Sequence, residues 1–227
     1  MLARKDGVRK GHPATWTVER PMQFKKLTDS GAFRAMATPA YRAVLDDLLG
    51  GADGWTAPKA WGQPLLCFPK AAGRWDIPFQ NWHFDLPAGP AWDSMMIGRT
   101  FAILEPLRPR GGGTLVATGS HRIAAQLADL AGEQQSSSLM RKRMKAQHRW
   151  FHDLMTPACE REDRAARFMG ADTDVGGVPC RVEEVVGEPG DVFVMHPAAL
   201  HTLAPNVLDT PRMVLAQAVY PKSWYGA

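Results

Sequence analysis

The chain has 227 residues, 45% of them hydrophobic and 22% charged, with a formal net charge of +4. This length and composition suit one globular domain and exclude wholesale disorder, and the charge is too small to indicate a nucleic-acid-binding protein. Because the sequence has no Cys-x-x-Cys pair, no secretory signal and no apolar run near the ~20 residues of a membrane helix, we expect a cytoplasmic protein without a membrane partner.

The N-terminal residues 1–60 are predicted to form a mostly helical and irregular leader. Within it, residues 33–49 carry apolar side chains at helical spacing, and Pro39 breaks this pattern. The stretch 40–49 is therefore predicted as a helix that ends at Gly50-Gly51, because glycine readily takes the left-handed conformation of a helix C-terminus. We expect such N-terminal helices to flank the main body of the fold.

Short strand-like runs follow the leader, and most are bounded by glycine or proline. They cover residues 64–68, 79–86, 95–104, 114–117, 180–186, 191–195 and 213–220. Residues 121–170 differ, because Ala, Leu, Gln, Lys and Arg predominate there and predict helices, with a break at 134–138. Strands, a helical insertion and further strands predict a single, mainly β domain over 1–227, of the jelly-roll or cupin-like type, closed over a pocket.

The run around His83 and Asp85 carries the first chemical signal. On a strand, residues two apart point to the same face, so these two side chains can share a cavity while Trp82 and Phe84 pack on the other side. A carboxylate that faces an interior is costly unless it binds a cation or a donor. His-x-Asp alone is weak evidence for a metal, and the motif needs a third ligand.

His201 is the candidate third ligand, and His196 competes with it in the same segment. The spacing to Asn206 and Arg212 favours His201. Two imidazoles and one carboxylate on one face of an ion form the facial triad of non-haem Fe(II) oxygenases, which leaves coordination positions open.

Arg212 precedes an apolar stretch, Met213-Val214-Leu215, which indicates a buried strand. An unpaired arginine is expensive there, although a surface ion pair is the ordinary use of this residue. A guanidinium matches a carboxylate bidentately. An α-keto diacid that chelates a metal through its keto acid end would need such a partner at its far carboxylate.

The chain resembles proteins of the phytanoyl-CoA dioxygenase family over residues 62–220. The resemblance lies in Trp82-His83-Phe84-Asp85, Gly112-Gly113-Thr114-Leu115-Val116, Gly119-Ser120-His121-Arg122, Pro189-Gly190-Asp191-Val192, and His201 with Asn206 and Arg212. It implies an Fe(II)- and 2-oxoglutarate-dependent oxygenase on a double-stranded β-helix, with an insertion at 121–180. It further implies that His83, Asp85 and His201 are the iron ligands.

The same resemblance implies roles around the cosubstrate. Arg212 would bind the distal carboxylate of 2-oxoglutarate, and Phe101 would occupy the strand position beside it. Arg99 shares the face of Phe101 by alternation and is either a second anion contact or a paired structural arginine. Thr114 would place a hydroxyl near the cosubstrate.

The retained Asp85 favours hydroxylation over halogenation, because related halogenases carry Gly or Ala at that position. The expected reaction consumes O₂ and a small-molecule substrate and releases succinate and CO₂. A non-catalytic, metal-binding member of the fold that acts as a binding protein is the alternative. A hydrolytic zinc enzyme with the same three ligands is a third reading, but it lacks an obvious general base and leaves Arg212 unexplained. The oligomeric state stays open.

Overall fold

A computed structural model describes residues 7–22, 24–69, 74–85, 98–129, 136–157 and 163–224. Its helices are α1 Lys25–Asp29, α2 Pro39–Leu49, α3 Ser120–Asp129, α4 Ser137–Gln147, α5 Arg149–Leu154 and α6 Arg164–Met169, with 3-10 turns at Pro13–Thr15, Arg34–Met36 and Lys222–Trp224. Its strands are β1 Gln63–Cys67, β2 Gly98–Ile103, β3 Thr114–Ala117, β4 Thr173–Val175, β5 Val178–Cys180, β6 Val182–Glu184, β7 Val192–Met195, β8 His201–Leu203 and β9 Arg212–Val219. Among these helices, none is both long enough and apolar enough to span a lipid bilayer.

Helix α2 confirms the helix predicted before Gly50-Gly51. The Thr38 hydroxyl accepts a hydrogen bond from the Tyr41 amide (3.2 Å), and Pro39 occupies the first helical position, where its missing N–H costs nothing. At the other end Gly50 takes φ 88°, the left-handed conformation that terminates helices. The proline that interrupts the apolar pattern therefore starts this helix.

The strands form two antiparallel sheets and a hairpin. The larger sheet has the order β1-β9-β2-β7, the smaller has β6-β3-β8, and β4 pairs with β5 alone. Two antiparallel sheets of this kind are consistent with the expected jelly-roll or cupin-like fold. Strand β9 lies between β1 and β2, and its first residue, Arg212, is opposite Cys67.

Two strand predictions were wrong. Residues 79–85 form no continuous strand; His83 makes an isolated antiparallel bridge to His201, and Asn81 leaves the extended conformation with φ 61°. The predicted strand at 180–186 is split at Arg181, because Cys180 pairs with Thr173 in the hairpin whereas Val182–Glu184 pair with β3. Residue 86 and residues 95–97 of the predicted runs lie outside the described residues.

The predicted helical insertion is confirmed as helices α3 to α6, followed by the hairpin β4–β5. Of the predicted break, 134–135 lie outside the described residues, and Ser136 caps α4 by accepting a hydrogen bond from the Leu139 amide. The insertion packs on the smaller sheet and on the segment before Asp85. That shared apolar cluster includes Trp82, Phe84, Leu115, Ala117, Ile123, Met140, Met144 and Phe151.

Candidate metal centre and arginine pocket

The main chain brings His83 and His201 together. The amide of His83 donates to the carbonyl of His201 (2.9 Å), and the reverse bond measures 3.0 Å. The two imidazole ring centroids are 4.2 Å apart. A mutual pair of backbone hydrogen bonds therefore sets the separation of the rings before any metal enters.

A carbonyl oxygen two residues earlier orients each imidazole. Nδ1 of His83 lies 2.8 Å from the Asn81 carbonyl oxygen, and Nδ1 of His201 lies 3.0 Å from that of Ala199. Because a carbonyl can only accept, Nδ1 of each ring carries a proton, which makes Nε2 the metal-binding nitrogen of the neutral imidazole. This arrangement is typical of metal-ligating histidines, whose second nitrogen donates to a fixed acceptor.

Asp85 completes a three-residue cluster. Its Oδ1 lies 3.8 Å from Nε2 of His83, and its Oδ2 lies 3.5 Å from Nε2 of His201. One ligand atom from each residue falls within 4.8 Å of the other two. Ligands about 2.1 Å from one ion on an octahedral face are about 3 Å apart, so the three side chains would draw closer together on binding a metal as a facial triad. Within the described residues, His196 lies outside this cluster and stacks near His121, with ring centroids 4.9 Å apart.

The two histidines differ in exposure. The side chain of His201 is 5% exposed and that of His83 is 49% exposed, so the cluster is open on the His83 side. Burial foremost, and then the nearby His83, lower the pKa of His201 to about 4, against the opposing effect of Asp85. His201 is thus neutral at pH 7, the state in which imidazole binds metals.

Arg99 pairs with Asp85. Its Nε lies 2.6 Å from Oδ2 of Asp85, an ion pair by distance whose angle is not that of a hydrogen bond. Its guanidinium also lies 5.3 Å from the ring centroid of Phe101. Of the two roles considered for Arg99, this contact matches the paired structural arginine. The side chain also lines the cavity described next. A contact between Arg99 and a cosubstrate stays a prediction.

A cavity of about 360 Å³ adjoins the cluster and lies between the two sheets. It is lined by Arg20, Pro21, Met22, Pro64, Leu65, Leu66, His83, Arg99, Phe101, Thr114, His201, Thr202, Leu203 and Arg212. It thus brings together two of the three candidate ligands and the four side chains predicted to surround a cosubstrate.

Arg212 is the buried cation of this cavity, with 3% of its surface exposed. One terminal nitrogen donates to the Thr114 hydroxyl (3.2 Å), and its buried Nε has no hydrogen-bond partner among the described residues. Burial lowers the pKa of Arg212 to about 10, so the side chain stays charged at neutral pH. A buried charge with an unused donor is costly unless an anion binds there.

Sequence reasoning missed the leader residues Arg20, Pro21 and Met22. They line the cavity although they lie more than 40 residues before β1 ends. The backbone of this segment is held by a hydrogen bond from the Phe68 amide to the Glu19 carbonyl (2.8 Å). No periodic pattern in 1–30 could have revealed this contact, because it depends on the end of a distant strand.

Comparison with known proteins finds similarity to solved structures. No protein-family model and no curated protein matches the chain. The crystal structure of the epimerase SnoN in complex with Fe³⁺, alpha ketoglutarate and nogalamycin RO is similar at 17% identity and a TM-score of 0.47, over 96% of this chain and 80% of that chain. A crystal structure of the non-heme alpha ketoglutarate dependent epimerase SnoN from nogalamycin biosynthesis matches with the same identity and coverage and a TM-score of 0.45. At 17% identity and TM-scores below 0.5, these similarities do not assign a function, and the residues of the site are the basis for one.

Proposed function

We propose that the protein is a non-haem Fe(II)- and 2-oxoglutarate-dependent dioxygenase that hydroxylates a small molecule. One observation carries the proposal: a cluster of two histidines and one aspartate adjoins the same cavity as a buried arginine with an unused donor. The cluster suits a metal with open positions, and the arginine suits the far carboxylate of a chelating keto diacid. O₂ would be the co-reactant, with succinate and CO₂ as products.

The three side chains fit Fe(II) by donor chemistry. Nε2 of each histidine lies within 3.8 Å of an Asp85 carboxylate oxygen, and Nδ1 of each is held by a backbone carbonyl. Three protein ligands leave an octahedral ion with positions for a chelator and O₂. When bound, iron and 2-oxoglutarate supply the oxygen activation that oxidises the substrate.

The protein's own contribution is positioning and water exclusion. Arg212 and the Thr114 hydroxyl offer donors to a carboxylate in the cavity that they share with His83. Apolar side chains such as Leu65, Phe101 and Leu203 also line this cavity, which strengthens charge interactions and limits water. Arg99 keeps Asp85 in place and balances its charge.

We also propose that the two sheets form a double-stranded β-helix within a single domain. The bridge between His83 and His201 supports this, because it adds the segment before Asp85 to the free edge of β8. The smaller sheet would then have four members, as the larger sheet does. Retention of Asp85 supports hydroxylation over halogenation, since three protein ligands leave no position vacated for a halide.

The test is anaerobic addition of Fe(II) and 2-oxoglutarate to the metal-free protein. We expect a weak metal-to-ligand charge-transfer band in the visible, and under air a slow formation of succinate without substrate. The His83→Ala variant should abolish the band, because one of three metal ligands is lost. Absence of both the band and succinate would overturn the proposal, whereas a band without succinate would favour the non-catalytic binding protein.

A further inference from the structure

We propose that Arg20, in the N-terminal segment, is a second binding residue for the far carboxylate of the cosubstrate and closes the cavity over it. The inference rests on the proposed function and adds a residue to it. Arg20 and Arg212 line the same cavity from different parts of the chain. Together they would hold the carboxylate between a buried and a half-exposed guanidinium.

The segment that carries Arg20 is held by two contacts to Phe68, the residue that follows the end of β1. The Glu19 carbonyl accepts a hydrogen bond from the Phe68 amide (2.8 Å), and the Trp16 ring lies 5.4 Å from the Phe68 ring, centroid to centroid. Phe68 directly follows Cys67, which is opposite Arg212 on the neighbouring strand. Arg20 is therefore anchored beside the very strand positions that hold Arg212.

The charges of the two arginines act on each other and on the thiol of Cys67. The Arg20 charge lowers the pKa of Arg212, in addition to the larger effect of burial. Both arginines also act on the buried thiol of Cys67, and Arg20 does so through a side-chain hydrogen bond, although burial still raises the pKa of that thiol. Two cations that line one cavity repel each other, and an anion bound between them would remove that cost.

No carboxylate among the described lining residues balances the charge of these arginines. The described lining residues include three arginines. Arg99 has its partner in Asp85, and Arg20 has a loose contact with Glu19, 3.5 Å from Nε to the carboxylate and partly exposed. Glu184 also acts on Arg212 through its charge, but it does not line the cavity and it accepts hydrogen bonds from the Arg110 and Gly113 amides. Arg212 and Arg20 are therefore the cations of the cavity lining that remain for a ligand carboxylate, which guanidinium groups bind well.

The experiment is calorimetric titration of the Mn(II)-loaded protein with 2-oxoglutarate and, separately, with pyruvate. Mn(II) replaces Fe(II) because it is less readily oxidised. Pyruvate chelates through the same keto acid group but lacks the far carboxylate. We expect Arg20→Gln to weaken 2-oxoglutarate binding by about five- to tenfold, a partly screened charge contact, and to leave pyruvate binding unchanged. The matched control is Arg34→Gln, an exposed leader arginine that does not line the cavity.

A second readout follows the segment itself. Hydrogen exchange at residues 14–22 should slow when 2-oxoglutarate binds to the wild type, and less so in Arg20→Gln. Equal 2-oxoglutarate affinity in the variant and the wild type overturns the inference, as does equal weakening of both ligands. Failure of the wild type to bind 2-oxoglutarate at all would instead overturn the proposed function.

Discussion

Replacement of Arg212 by methionine separates ligand binding from folding. The arginine is 3% exposed, its Nε has no hydrogen-bond partner among the described residues, and its one recorded side-chain bond is to Thr114. Methionine keeps much of the volume without the charge. Truncating one partner of a buried, charged pair costs about 2–5 kcal/mol, so the Kd for 2-oxoglutarate should rise about 30-fold to several thousandfold.

The stability of the ligand-free Arg212→Met protein should rise or stay unchanged, although its affinity for 2-oxoglutarate falls. Loss of a buried charge that lacks a full set of partners removes a desolvation cost, so we expect the melting temperature of Arg212→Met to equal or exceed that of the wild type. Arg164→Met is the matched control, because Arg164 is also buried but donates to the carbonyls of Ile77, Asp153 and Leu154. It should lower stability by several kcal/mol and leave 2-oxoglutarate affinity unchanged.

Calorimetry with Mn(II)-loaded protein and thermal denaturation of the ligand-free protein check these expectations. The affinity should also depend on pH, because burial lowers the pKa of Arg212 to about 10 and only the protonated guanidinium attracts a carboxylate. Affinity should therefore be flat near neutrality and fall as the pH approaches 10. An Arg212→Met protein that binds 2-oxoglutarate within threefold of the wild type would refute the reasoning.

Three further expectations concern the metal and the fold. His201→Ala should abolish tight Mn(II) binding whereas His196→Ala should not, because of these two histidines only His201 lies in the cluster. Calorimetry measures both affinities, and an equal loss in the two variants would contradict the assignment of His201 as a ligand. Asp85→Ala should weaken Mn(II) binding by more than about tenfold, since a direct ligand matters at least as much as its outer partners; unchanged affinity would remove Asp85 from the site. Thr38→Ala should lower the free energy of unfolding by about 1 kcal/mol through loss of the α2 cap, measured by urea denaturation, and no change would show that the cap is dispensable.

Local patterns predicted where several side chains of the candidate site lie. Strand alternation placed Arg99 and Phe101 on one face, and the apolar run after Arg212 indicated the burial that the structure has. The two histidines could be paired only through the family resemblance and their spacing to Arg212, since the backbone bridge between them joins distant parts of the chain.

The wrong and missing predictions each have a structural cause. The strand predicted over 79–86 fails in its described part because Asn81 takes a positive φ that alternation cannot foresee. Strand β8 was not predicted, because three residues are too few for a periodic signal. Arg20 was missed because its place depends on the end of β1, and no sequence rule relates that position to the leader.

The ion pair between Arg99 and Asp85 has a consequence for which cations the centre admits. An ion that binds the proposed triad would have to displace or share a guanidinium that lies 2.6 Å from one carboxylate oxygen. Mg²⁺ dehydrates reluctantly and gains little from imidazole, so it would compete poorly with this internal cation. A transition metal would gain two imidazole bonds, for which the guanidinium does not compete. Arg99 would thereby act as a filter that keeps abundant hard cations from occupying the site.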